Sequence, residues 1–146
     1  KFLARNVLSY RPPLGLFGNI NLDSIEGHKN VFSIKDPLTL IVNFARIYSL
    51  QYHIIEPNTL DRLELLYKKK ILSEPFYQEI THVYLYLMQF RLKHQINLLK
   101  QGKPLHNYIN PKKISNIEHA VLKKMLTNIR VFQIKLNHDF MSSSAI

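Results

Sequence analysis

The chain has no cysteine and no tryptophan among its 146 residues, only four glycines, and 10 acidic side chains against 20 basic ones. Without cysteine there is no disulfide framework, no thiolate nucleophile and no cysteine-ligated zinc site, so a reducing compartment is permitted. Apolar runs such as Val83 to Phe90 fall far short of the roughly 20 residues a membrane span needs, so no membrane association is expected. The amino end, Lys1 to Asn6, carries charge but neither an apolar stretch nor a small-residue cleavage site. It begins with lysine rather than methionine, from which we expect a fragment of a longer protein. Catalytic signatures are missing as well. There is no Gly-x-Gly-x-x-Gly, no phosphate loop, no His-Glu-x-x-His and no Gly-x-Ser-x-Gly.

What is present fits one ordinary globular core: 46% hydrophobic and 21% charged residues. The formal charge of +10 is compatible with nucleic acid, a phosphate-bearing small molecule, an acidic membrane surface or an acidic neighbouring domain as partner.

Residues 1 to 34 hold Pro12, Pro13 and three of the four glycines and read as irregular. A short helix over Phe2 to Ser9 should end before the proline pair, because a residue preceding proline is pushed out of the helical region. Ile20 to Leu22 and Val31 to Ile34 alternate weakly and predict a loose hairpin. From Asp36 the pattern becomes helical. Asp36-Pro37 places a carboxylate at the N-cap and proline at the first position, starting a helix that runs to about Leu50. Asn58-Thr59 starts a second, ending at Lys68-Lys69-Lys70, where cations suit the helix dipole. Ser73-Glu74-Pro75 opens the longest helix, which Gly102 should stop. It carries two apolar stripes: Phe76, Ile80, Val83, Leu87 and Phe90, then Leu85, Met88, Leu92, Ile96 and Leu99. Two stripes predict a helix sandwiched between neighbours. Ser115-Asn116-Ile117-Glu118 has the form of a capping box and begins the last helix, to about Phe140. The expected fold is mainly α: an antiparallel bundle of about four main helices over residues 35 to 141 with an irregular or hairpin N-terminal segment, and a frayed tail at 142 to 146.

Acidic residues are scattered, and Asp61 with Glu64 reads as a solvated face rather than a metal clamp. Arg91 and His94 have the spacing of helical ribonuclease-like modules, yet six arginines and seven histidines produce such pairs by chance. More informative are polar residues set in apolar stretches: Arg46, Arg91 with Gln95, and Arg130 with Gln133. A guanidinium in such a place needs a partner. Either these side chains bond helix ends and acids within the bundle, or they line a groove for an anion such as a nucleotide phosphate, which suits the planar guanidinium fork.

A set of short runs then resembles a known family: Gly27-His28-Lys29, Ile34-Lys35-Asp36-Pro37-Leu38, Phe44-Ala45-Arg46-Ile47-Tyr48, Asn58-Thr59-Leu60-Asp61-Arg62-Leu63, Phe90-Arg91-Leu92-Lys93-His94-Gln95, Asn107-Tyr108-Ile109-Asn110-Pro111 and Ile129-Arg130-Val131-Phe132-Gln133. Together, over about residues 12 to 140, they resemble the nucleotidyltransferase substrate-binding domain. That domain ends bacterial proteins with CBS or cyclic-nucleotide-binding-like modules and a nucleotidyltransferase domain, similar to PII uridylyltransferases and glutamine-synthetase adenylyltransferases. The resemblance implies a cytoplasmic signal-transduction enzyme whose catalysis belongs to an upstream domain, with residues 1 to 34 as that domain's trailing edge. The Gly-Ser and Asp-x-Asp signatures of the catalytic part are not in this chain. It implies no cofactor for the fragment itself and magnesium with a nucleoside triphosphate for the parent protein. It also implies that Lys35, Arg46, Arg62, Arg91 and Arg130 contact phosphate or an acidic protein substrate, while Gln95, Asn107 and Gln133 fix orientation. For Asn107 the alternative is a turn or cap. The competing readings are a basic helical module for nucleic acid, resting on Lys68-Lys69-Lys70, Lys112-Lys113 and Lys123-Lys124, and a homodimerisation scaffold. Nucleic acid is disfavoured because the lysines sit on different helices and no aromatic platform with interleaved arginine is visible.

Overall fold

The computed structural model describes residues 2–15 and 19–141, so the expected tail at 142 to 146 lies outside the described residues. Five α-helices and a small antiparallel sheet follow in the order α1 (Phe2–Ser9), β1 (Asp23–Ile25), β2 (His28–Ser33), α2 (Lys35–Gln51), α3 (Thr59–Lys68), α4 (Glu74–Lys100), β3 (Tyr108–Ile109) and α5 (Asn116–Phe140). The fold is mainly helical, with a hairpin in the N-terminal segment, as the sequence predicts.

Helix starts are set by side chains that accept orphan amide protons. Asn58 accepts from the amides of Leu60 and Asp61, and Ser73 from that of Phe76. Ser115 and Glu118 form the full reciprocal capping box. Gly102 adopts φ +65°. Its amide donates to the Leu99 carbonyl and that of Lys103 to the Leu98 carbonyl, the paired bonds that close a helix through a left-handed residue. The Asp36 cap is corrected. α2 begins at Lys35, with Ile34 already in helical backbone and no side-chain cap. Ile34 is held from the other side, its amide donating to the Asn107 carbonyl. Asp36 instead sits in the first turn, accepting from the Ser33 hydroxyl at 3.2 Å.

The hairpin's first arm falls three residues later than the alternation predicts. Glu26 and Gly27 both take positive φ, 47° and 82°, so the two-residue turn closes between Ile25 and His28. A third strand, read from sequence as a turn, joins by pairing Phe32 with Ile109 and Ser33 with Tyr108.

The centre of the bundle is α2, not α4. α2 packs against α1, α3, α4 and α5 and buries Leu38, Leu40, Ile41, Phe44, Ile47 and Tyr48, which point almost all round its axis, the pattern of an interior helix. Phe44, Tyr48, Phe76, Phe132 and Phe140 form its aromatic surroundings, with Phe44 and Tyr48 centroids 4.5 Å apart and Tyr48 edge-on to Phe140 at 4.9 Å. On α4 the first stripe is the core face, whereas Leu85, Met88, Leu92, Ile96 and Leu99 are exposed. α1 lies on α2 and α5, burying Ala4 and Val7.

Candidate functional site

A cavity of about 690 Å³ opens between the β-hairpin, the C-terminal half of α4 and the segment leading from Gly102 into α5. Its position follows from a clasp of polar side chains. Arg91, His94 and Gln95 lie one helical turn apart on α4 and so share a face. The Arg91 Nε donates to the Asn107 side-chain oxygen at 2.7 Å, and Gln95 donates to the same oxygen at 3.2 Å. With the Asn107 carbonyl accepting from Ile34 and β3 paired to β2, the segment is pinned between the helix and the sheet. That pinning lays His106 and Tyr108 over His28.

Three imidazoles meet there. His28 and His106 have ring centroids 4.3 Å apart, His94 and His106 5.0 Å, and Tyr108 stacks on His106 at 5.4 Å. His106 Nδ1 lies 3.1 Å from the Tyr108 amide, which makes it an acceptor and places its own proton on Nε2. Burial, and then the neighbouring His106, hold His94 below the ordinary histidine value. For His106 the causes are burial, His28 and Lys103. Lys29, Lys93, Lys103 and Lys113 also line the cavity. Glu118 is the acid among the lining residues, and it is bound to Lys93 at 2.5 Å and to Ser115. Those bonds hold its carboxyl below the usual range. The turn residue Glu26 accepts from the Tyr108 hydroxyl, which raises that phenol. Among the described residues no three His, Asp or Glu side chains gather so as to hold a metal ion. The cavity is therefore basic, aromatic and open, suited to an anion.

The eight residues the resemblance selects fall into four places. Arg91, Gln95 and Asn107 form the clasp. Arg130 donates to the Leu14 carbonyl at 3.3 Å, and Gln133 to those of Val7 and Tyr10 at 2.8 and 2.7 Å, tying the N-terminal segment to α5. The Arg62 Nε donates to the Glu56 carbonyl ahead of α3. Lys35 and Arg46 are exposed on α2. Arg91 and His94 turn to different partners, Asn107 and His106, rather than to a common point. Sequence reasoning missed the histidine cluster because its members are 66 and 12 residues apart and only the β2–β3 pairing and the clasp on Asn107 join them. Seven histidines in so basic a chain were the one available signal.

The family model for the putative nucleotidyltransferase substrate binding domain matches residues 1–140. The chain belongs to that family. Comparison with curated proteins and with solved structures returned no match. The match takes in α1 and the hairpin as well as the bundle, so both walls of the cavity are part of the substrate-binding domain. Among the described residues no helix of this domain is long and apolar enough to cross a membrane.

Proposed function

We propose that this domain is the substrate-holding part of a larger bacterial nucleotidyltransferase, of the uridylyl- or adenylyltransferase kind, and that it is not catalytic alone. The observation that carries this reading is the open cavity whose charged lining is mostly lysine and whose one lining acid is already paired. Such a surface receives anionic groups and offers no free pair of carboxylates for acid–base or two-metal chemistry. Magnesium and nucleotidyl transfer then belong to a linked upstream domain.

A nucleic-acid reading has weaker support. Lys68 is paired with Glu64, and Lys112-Lys113 and Lys123-Lys124 lie on separate elements.

The test is transfer of labelled UMP or AMP in the presence of Mg-UTP or Mg-ATP. The full-length protein is expected to label its target, and residues 1 to 146 alone to label nothing. Metal-dependent transfer by the 146-residue chain would overturn the proposal.

A further inference from the structure

The imidazole cluster has an unusual charge balance. His28 comes from β2, His94 from α4, and His106 from the segment before β3. Facing them are Lys29 on β2, Lys93 on α4, Lys103 on the connecting segment and Lys113 at the end of the short turn before α5. The carboxylates nearby are Glu118 of α5 and Glu26 of the hairpin turn, with Asp36 of α2 acting on Tyr108 from further off. Glu118 is held by Lys93 and Ser115, while Glu26, beside the Tyr108 hydroxyl, makes no ion pair among the described residues. Lys29, Lys103 and Lys113 make no ion pair among the described residues. Positive and protonatable groups from four elements thus converge with little to neutralise them.

We propose that this cavity binds the phosphate groups of a nucleoside triphosphate, received by the imidazole N–H groups of the His28–His106–His94 cluster and the ammonium groups of Lys103 and Lys113. This inference rests on the substrate-holding reading and names its ligand. A volume of about 690 Å³ lies within the roughly 300–1,000 Å³ of small-molecule sites and exceeds what a lone phosphate fills. Several phosphate charges match several cations, where a single carboxylate would not.

Binding is coupled to protons. In the free domain, crowding and burial keep His94 and His106 neutral to lower pH than usual. A polyanion between them reverses the local field and favours the imidazolium, so affinity rises as pH falls.

The experiment follows the histidine ring-proton resonances of the 146-residue chain as ATP, UTP, pyrophosphate or adenosine is added, at pH 7.5 and 6.0 and constant ionic strength. ATP and UTP are expected to move His28, His94 and His106 and to leave His53, His82, His119 and His138 in place. Kd should fall about tenfold at the lower pH, the change for uptake of about two-thirds of a proton over that interval. Lys103→Gln should weaken ATP about tenfold, the loss of one charged hydrogen bond, with the thermal midpoint unchanged. His94→Gln should flatten the pH dependence. Pyrophosphate binding as tightly as ATP would overturn the nucleotide assignment in favour of free phosphate. Equal movement of all seven histidines, or none of the three, would overturn the site. Transfer by the full-length protein that persists despite such a failure would leave the substrate-holding reading standing without this cavity.

Discussion

Helix α4 presents two apolar stripes that sequence periodicity cannot rank, and a pair of alanine substitutions separates them. Leu87 is 0% exposed and Leu92 is 58% exposed. Truncating Leu87 removes buried methyl groups and leaves a cavity that close-packed neighbours fill incompletely, at a cost of about 2.7–5 kcal/mol. Leu92 has already left most of its surface in water, so its truncation should cost about 0.5 kcal/mol or less. Against a urea dependence of about 1–3 kcal/mol per molar, the Leu87→Ala midpoint should fall by roughly 1–5 M while that of Leu92→Ala barely moves. Since total stability is only about 5–15 kcal/mol, Leu87→Ala is a large fraction of it. The assay is urea unfolding followed by far-UV circular dichroism, because the chain has no tryptophan to report. It is run at two protein concentrations tenfold apart. Equal losses for the two variants would refute the reasoning, since the second stripe would then have to be covered.

Gln133→Ala strips the donor from the Val7 and Tyr10 carbonyls and should destabilise by about 1–3 kcal/mol, the cost of unpaired polar groups. The same substitution should leave ATP titrations of the histidines unaltered, and a weakened Kd with unchanged stability would show that Gln133 touches ligand instead. Asp139 tests the acid limb of stability. Burial alone would raise its carboxyl, but bonds from His138, Tyr48 and Lys135 prevail and bring it down to about 2. A depressed carboxyl contributes stability above its ordinary value, and that contribution is lost as pH falls through about 2. The wild-type thermal midpoint should therefore drop more steeply between pH 4 and pH 2 than that of Asp139→Asn. Parallel curves would show that the native pairing of Asp139 is not what shifts it.

Local signals were read where the determinant is local. Asn58, Ser73 and the Ser115–Glu118 box cap the helices the sequence assigns to them because an N-cap needs only its own next three amides. Gly102 ends α4 because the left-handed residue after a helix favours glycine over side-chain-bearing residues. The Asp36 start failed for a non-local reason: Asn107, some 70 residues away in the chain, holds the backbone of Ile34 and draws the helix back a residue. β3 was likewise hidden, since two residues of strand have no period of their own and exist only by pairing with β2.

The polar residues show the same division. Their presence in apolar stretches marked Arg46, Arg91, Gln95, Arg130 and Gln133 as needing partners; the half-buried Arg91, Gln95 and Gln133 found them, as desolvation of a polar group requires, whereas Arg46 points to water. Which partners they took depended on distant carbonyls and one asparagine side chain. From composition and periodicity alone came the helical class, the caps of α3, α4 and α5, the two apolar stripes of α4 and the excess of positive charge, since each depends on spacing along one chain segment. Which stripe meets water, which helix lies at the centre, and the meeting of His28, His94 and His106 came from packing. Those are relations between segments, and in sequence the three histidines are isolated residues whose separation carries no trace of the 4.3 and 5.0 Å between their rings.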